Sequence, residues 1–261
     1  MNYPDWFIII FLIAFGATLG SFMNVCIYRI PKHLSIVKPR SFCPACGSLI
    51  PWYQNIPVLS YFLLLGNCAS CGARISPVYP FVEIVAAVAT VSLYLEFGLA
   101  IEFIAYLPFT LALIVLFFID YREKLLPDEI TISGIILGIG LSPLLKHLGI
   151  LNSILGAATG FVGFYLIAFI YERLTGKEGM GGGDIKMITM VGAFLGLKGV
   201  LATIFIASLT GAIVGLLLII FFRKSFKHAL PFGCFISIGS LIFLFAGERL
   251  LNCYLSLIGL A

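Results

Sequence analysis

The chain alternates long apolar runs with short polar segments. A helix that crosses a bilayer needs about 20 apolar residues, with a range of roughly 17–25. Eight runs, some of them tightly joined, are candidates for such helices. They cover residues 6–28, 79–97, 101–119, 130–146, 151–171, 185–197, 199–222 and 232–251. The pattern therefore predicts an all-α polytopic membrane protein with about eight transmembrane helices.

The composition supports this prediction. Apolar residues make up 61% of the chain and charged residues only 11%, whereas soluble domains have roughly 45–50% and about 25%. A soluble fold could not cover so much apolar surface, so membrane lipids must be the surroundings of the chain. The basic residues are spread over several short loops, which argues against a nucleic-acid partner.

The first apolar run has the features of a retained transmembrane helix. It extends over residues 6–28, which is longer than the apolar region of about 7–15 residues in a secretory signal peptide. Its positive charges follow the run instead of preceding it. We expect residues 1–28 to form the first transmembrane helix.

The loop charges predict an orientation. If the N-terminus is outside, most of the 16 Lys and Arg residues fall in cytoplasmic loops, and only Lys146, Lys198 and Arg249 fall outside. The cytoplasmic set is Arg29, Lys32, Lys38, Arg40, Arg74, Arg122, Lys124, Arg173, Lys177, Lys186, Arg223, Lys224 and Lys227. Because cytoplasmic loops carry an excess of positive charge, we expect loop 29–78 to face the cytoplasm.

Two Cys-x-x-Cys-Gly units occupy this loop, one at Cys43 and Cys46 and the other at Cys68 and Cys71. In such turns both thiolates point to one centre, and two turns complete a tetrahedral sulfur site that suits zinc. A reducing cytoplasm disfavours disulfides. We predict a structural zinc site; the alternative is two metal-free thiol pairs or a redox site. The isolated cysteines Cys26, Cys234 and Cys253 are expected to serve packing.

Two aspartates lie at predicted membrane boundaries. Asp120 ends the third apolar run, and Asp184 opens the sixth after the glycines 181–183. Charged residues at membrane depth are costly and are candidates for function, and the predicted topology places both aspartates at the same depth. Two close carboxylates share one proton, so that one acts as a base and the other as an acid. The alternatives are a solvated helix end for Asp120 and a helix N-cap for Asp184.

Three further charged residues are candidates for structural or functional roles. Asp128 follows Pro127 and is expected to cap the fourth helix, with catalysis as the alternative. Lys186 is expected to extend to lipid headgroups. Glu83, one turn into the second span, is assigned either to a structural pair with a cation or to a cofactor or substrate role.

The ordered motifs resemble those of the bacterial type IV prepilin peptidases, the leader peptidase/N-methyltransferases, over nearly the whole chain. The matching segments are 20–31, 40–83, 120–128, the Gly-x-Gly-Asp motif at 181–184, and Leu230–Gly233. Segment 40–83 contains the paired cysteine units and two further motifs, Asn55–Tyr61 and Tyr79–Glu83. Cys234 stands where a proline is expected next. The resemblance implies a catalytic pair formed by Asp120 and Asp184.

The resemblance also implies two activities and a division of the chain. The first activity removes the basic leader of type IV prepilins and pseudopilins; the second methylates the new N-terminus with S-adenosylmethionine, for which no binding residues are identified. Residues 29–78 would form the zinc-binding segment and 79–261 the aspartic peptidase domain, in the bacterial inner membrane. Competing functions are a proton- or cation-coupled transporter that uses the two aspartates and a non-catalytic assembly factor.

Overall fold

The computed structural model describes residues 4–177, 179–222 and 230–257, and these residues form helices joined by loops, with two isolated β-bridges and no strand. The helices are α1 Asp5–Arg29, α2 Leu59–Leu63, α3 Val78–Phe97, α4 Ile101–Glu123, α5 Asp128–Leu141, α6 Gly149–Thr175, α7 Gly182–Phe222 and α8 Phe232–Leu257. The predicted all-α class is confirmed. The basic residues Arg223, Lys224 and Lys227 of the orientation argument lie outside the described residues.

Several helices are suited to cross a membrane. Among the described residues, α1, α3, α4, α6 and α7 are long and apolar enough to do so, and α8 contributes a shorter apolar stretch, Phe232–Gly247. Helix α5 has 14 residues. The chain is therefore a multi-pass membrane protein.

Helix α7 is interrupted at Gly196, which has non-helical backbone angles, φ 68° and ψ −169°. The sequence separated its sixth and seventh spans at Lys198, two residues later. Side-chain Oδ1 of Asn152 in α6 accepts a hydrogen bond of 3.1 Å from the N–H of Leu197. This contact satisfies a backbone donor that the break releases from the helix, which matters because water is scarce at membrane depth.

The chain forms two compact units, residues 1–99 and 100–261. In the first unit, α1 packs against α3. Gly16 and Gly20, one turn apart on α1, leave no space for a Cβ against Ala87 and Glu83 of α3, as is common where membrane helices pack through small residues. The unit thus includes α3, which the sequence analysis grouped with the peptidase segment.

In the second unit, α7 packs against α5, α6 and α8. The backbones of α6 and α7 meet at Gly156 and Gly192, and the rings of Phe109 and Phe194 stack with centroids 4.5 Å apart in the buried core. This packing fixes the first turn of α7 beside the ends of its neighbours, where the two aspartates lie.

Candidate active site and metal centre

Asp120 lies in the last turn of α4, and its side chain is buried, with 5% of its surface exposed. The carboxylate Oδ2 accepts a hydrogen bond of 3.0 Å from the backbone N–H of Cys234 in the first turn of α8. The N–H groups that open a helix have no partner within that helix and attract negative charge. Asp120 is therefore held in a buried anion site and is not a solvated helix end.

Asp184 is the third residue of α7 and is partly buried. Its carboxylate hydrogen-bonds to the backbone of Gly181, and it is close enough to Asp120 for the two charges to act on each other directly. The structure thus brings together the two aspartates that the sequence selected. Such a pair can hold one proton between two carboxylates, which provides an acid and a base in one place.

Leu126, in the turn between α4 and α5, lies between the segments that carry the two aspartates. It is 8% exposed. A Cβ on Gly183 would lie 2.8 Å from Cβ of Leu126, and a Cβ on Gly233 would lie 3.0 Å from its Cδ2 and 2.8 Å from Oδ2 of Asp120. Only glycine fits at 183 and 233 without displacing these neighbours.

Asp128 and Lys186 form an ion pair, which corrects two predictions. Both carboxylate oxygens of Asp128 lie 2.7 Å from Nζ of Lys186. Helix α5 has Pro127 at its N-cap position and no side-chain cap, so Asp128 does not cap it. Lys186 turns to this carboxylate instead of extending to headgroups, and the pair links the N-terminal ends of α5 and α7.

The four loop cysteines form one cluster. The Sγ atoms of Cys43, Cys46, Cys68 and Cys71 all lie within 4.8 Å of one another. The two turns are built alike: Gly47 donates its N–H to the carbonyl of Cys43, Gly72 donates to that of Cys68, and both glycines have positive φ, 72° and 69°. The donor set and its compactness fit a metal ion with four sulfur ligands.

Hydrogen bonds and neighbouring thiols set the charges in this cluster. The N–H groups of Cys71 and Ser70 lower the pKa of Cys68 to about 6. The N–H of Ala73 favours the Cys71 thiolate, but the thiols of Cys46 and Cys68 oppose it, and the pKa of Cys71 is raised to about 11. Four thiolates this close together need a cation to offset their charge.

Glu83 is buried in α3 and has hydrogen-bond donors as partners rather than a cation. Its Oε2 accepts a bond of 2.7 Å from the N–H of Val58, and the side chain also hydrogen-bonds to Ser21. Val58 is the centre of a γ-turn, with φ 63° and a 2.6 Å bond from the N–H of Leu59 to the carbonyl of Pro57. A non-glycine residue in this conformation is strained and needs such support.

Sequence reasoning missed two residues of the aspartate site. Cys234 was assigned to packing, but its N–H binds Asp120. The available signal was a helix that begins within Leu230–Gly233, since first-turn N–H groups lack partners. Leu126 gave no signal, because a leucine in an apolar chain is unremarkable until its neighbours are known. The side chain of Cys253 lies outside the described residues.

Comparison with known proteins places the chain among relatives. The model of the bacterial peptidase A24 N-terminal domain matches residues 14–97, and that of the type IV leader peptidase family matches residues 107–216. No solved structure matches.

Proteins named prepilin leader peptidase/N-methyltransferase are similar over most of their length. The Pseudomonas putida protein is 31% identical over 98% of this chain and 96% of its own length, and that of Xanthomonas campestris is 32% identical over 94% and 93%. The Myxococcus xanthus protein is 37% identical over 81% of this chain, which spans only 63% of that relative. With both family models matched in order and the Pseudomonas putida and Xanthomonas campestris proteins covered nearly end to end, the chain belongs to the type IV leader peptidase family.

Proposed function

We propose that the chain cleaves the basic leader peptide of type IV prepilins and pseudopilins and then N-methylates the new N-terminal residue. The observation that carries the first activity is the pair of carboxylates at Asp120 and Asp184, one of them buried on the N-terminus of α8. The names of the relatives support the second activity.

The hydrogen bonds divide the roles of the two aspartates. Asp120, whose carboxylate accepts the N–H of Cys234 at the start of α8, is the base that takes a proton from water. Asp184 then carries the shared proton and donates it to the oxygen of the scissile carbonyl. When the tetrahedral intermediate collapses, the leaving amine nitrogen takes up the proton that Asp120 holds, and Asp184 takes back a proton from a hydroxyl group of the intermediate.

The substrate geometry follows from the place of the pair at helix ends. We assign the protein to the bacterial inner membrane, with the N-terminus outside and loop 29–78 in the cytoplasm, on the distribution of Lys and Arg. A basic leader stays on the cytoplasmic side while the apolar helix that follows it enters the bilayer. The scissile bond between them then meets the aspartates at the membrane boundary, and lipids surround the remaining helices.

The cysteine cluster is assigned to one zinc ion with a structural role. Cys43, Cys46, Cys68 and Cys71 supply four thiolates, and four protein ligands leave no coordination position for a substrate. The ion would hold the two turns of the loop together.

S-adenosylmethionine would supply the methyl group for the second activity as an activated sulfonium.

The decisive experiment uses the full chain purified in detergent, a prepilin with its basic leader, and mass spectrometry. We expect loss of the leader, followed in the presence of S-adenosylmethionine by the gain of one methyl group at the new N-terminus. A prepilin that begins at the mature residue serves as the control and should only be methylated. If the prepilin stays unprocessed and the protein conducts protons or cations across vesicle membranes, the result would instead support a transporter.

A further inference from the structure

The segment between the two cysteine turns, residues 47–67, exposes an apolar surface, and we call this segment the apolar lobe. In α2, Leu59, Phe62 and Leu63 lie three and four residues apart, on one face of the helical turn. All three side chains are exposed, whereas Ser60 is buried. The other large apolar side chains that the lobe exposes are Leu49, Trp52, Tyr53, Ile56 and Leu65. Exposed apolar side chains grouped in this way mark a contact with a protein or a membrane.

Local contacts make the apolar lobe one folded piece. Oγ of Ser60 accepts a hydrogen bond of 3.0 Å from the N–H of Ile56 and donates one of 3.3 Å to the carbonyl of Tyr53. These bonds join α2 to the 3₁₀ turn Trp52–Gln54. The four clustered thiols close the base of the lobe, because the two cysteine turns lie at its ends. The lobe therefore presents its apolar side chains on a defined surface.

The contact between Val58 and Glu83 fixes the depth of the apolar lobe. Helix α3 has 20 residues and a length of about 30 Å, which matches the hydrocarbon core of a bilayer at about 30 Å. Glu83 follows the first residue of α3, Val78, by five positions, or about 8 Å along the axis. The backbone nitrogen of Val58 lies 2.7 Å from Oε2 of Glu83. The lobe therefore lies beside the first turns of α3, at the edge of the membrane.

The charges around the apolar lobe suit an anionic membrane. Residues 41–73 contain no charged side chain, and no Asp or Glu occurs between Asp5 and Glu83. The flanking charges of loop 29–78 are therefore all basic. They are Arg29, Lys32, Lys38, Arg40 and Arg74. Apolar side chains flanked by Lys and Arg bind the surface of membranes that contain anionic lipids, and Trp and Tyr favour the same depth.

We propose that the apolar lobe inserts its exposed face into the headgroup region of an anionic membrane, with the flanking Lys and Arg side chains on lipid phosphates. Elements that bind membranes in this way lie about 5–10 Å into the boundary between headgroups and acyl chains. The two cysteine turns at the base of the lobe then stand at the membrane surface instead of projecting into water. Neither enzymatic activity is needed for this contact.

Tryptophan fluorescence measures the depth of the lobe, because the chain has only two tryptophans, Trp6 and Trp52. Trp6→Phe, made in the full chain and reconstituted in vesicles of phosphatidylcholine and phosphatidylglycerol, leaves Trp52 as the only reporter. Bromine atoms near the headgroup end of the lipid chains should quench most of its emission, and bromine atoms near the methyl end should quench little. The water-soluble quencher acrylamide should reach Trp52 far less than it reaches free N-acetyltryptophanamide.

Two matched variants in the Trp6→Phe background test the apolar face itself. Leu63→Glu places a charge on α2 at a side chain that is 79% exposed, so packing within the protein is retained. Trp52 should then lose most of its quenching by lipid bromines and become accessible to acrylamide. Leu99→Glu makes the same change at a leucine that is 63% exposed beyond the opposite end of α3, and quenching of Trp52 should not change. An unchanged Leu63→Glu, or an equal loss in Leu99→Glu, would overturn the proposal.

The quenching pattern separates lipid from other surroundings. Strong quenching by acrylamide with none by lipid bromines would place the lobe in water and overturn the proposal. Protection from both quenchers would show that protein, such as a second copy of this chain, covers the lobe, and would also overturn it. Replacing phosphatidylglycerol by phosphatidylcholine should reduce the bromine quenching, because the basic residues lose their anionic partners. Equal quenching in both kinds of vesicle would overturn the assignment to an anionic membrane.

Discussion

The carboxylate of Asp120, at the end of α4, accepts a hydrogen bond of 3.0 Å from the backbone N–H of Cys234, in the first turn of α8. The bond joins residues 114 positions apart and holds the buried Asp120 to the start of a second helix. Asp184 has instead the backbone of Gly181. This difference is the basis for assigning Asp120 as the base and Asp184 as the acid.

The first prediction concerns the pair itself. Asp120→Asn and Asp184→Asn should each lower kcat for leader cleavage at least about 100-fold, because an amide can neither accept the proton of water nor donate the shared proton. Detergent-purified variants should keep the helical circular dichroism of wild type.

Asp128→Asn is the comparison for this pair. It removes only an exposed ion pair with Lys186, worth about 0–1 kcal/mol, so most cleavage activity should remain. If Asp128→Asn is as inactive as Asp120→Asn, the first aspartate has been wrongly assigned.

The second prediction tests the close approach at the start of α8. A Cβ at position 233 would lie 2.8 Å from Oδ2 of Asp120, so Gly233→Ala must displace that carboxylate. A misplacement of about 1 Å can cost about 100-fold in rate, and we expect a loss of this order in kcat. Gly163→Ala is the control, because a Cβ there meets no atom within 4 Å. Full activity of Gly233→Ala would contradict the observed placement of Asp120.

The third prediction assigns Leu126 a positioning role. Its side chain fills the space between Gly183, next to Asp184, and Gly233, next to Asp120. Leu126→Ala should lower kcat while KM stays near the wild-type value, because the two carboxylates lose their fixed separation and the leader contacts remain. Leu126→Ala removes a buried side chain and is expected to lower the free energy of unfolding by about 2–5 kcal/mol. The measured rates are therefore divided by the concentration of folded protein.

Two further variants make the role of Leu126 specific. Leu126→Met keeps nearly the same volume and should restore most of kcat. Leu125→Ala removes the adjacent leucine, which is 45% exposed, and should behave as wild type. A fall in kcat of equal size in Leu125→Ala would show that the turn as a whole matters and not the contact of Leu126.

The fourth prediction concerns the metal. Freshly purified protein should contain one zinc ion per chain by elemental analysis, and Ser at position 43, 46, 68 or 71 should remove it. Structural zinc contributes on the order of 10 kcal/mol to small domains, so limited proteolysis should then cut within residues 41–75. Cys26→Ser, which changes a buried thiol in α1 outside the cluster, should retain both zinc and protease resistance. Metal-free wild-type protein would count decisively against the assignment.

Local features of the chain were predictable because their causes are local. Apolar length alone predicted the helices, and the Cys-x-x-Cys-Gly pattern predicted two turns with converging thiolates. In the structure, the glycines of these turns, Gly47 and Gly72, have positive φ. The position of the break in α7 was missed by two residues, since Lys198 is the visible polar residue but Gly196 is the one with the backbone freedom. The division of the chain at residues 28 and 78 stays a prediction.

By itself the sequence determined that this is a helical membrane protein, that four cysteines can converge, and that Asp120 and Asp184 are the acids to examine. Only the tertiary structure decided what each acid contacts. Asp128 and Lys186 are 58 residues apart, and Glu83 and Val58 are 25 apart; no periodicity or motif spacing relates them. Such contacts depend on which helix faces pack together, and in an almost uniformly apolar chain the faces are chosen by glycines and side-chain shape rather than by polarity.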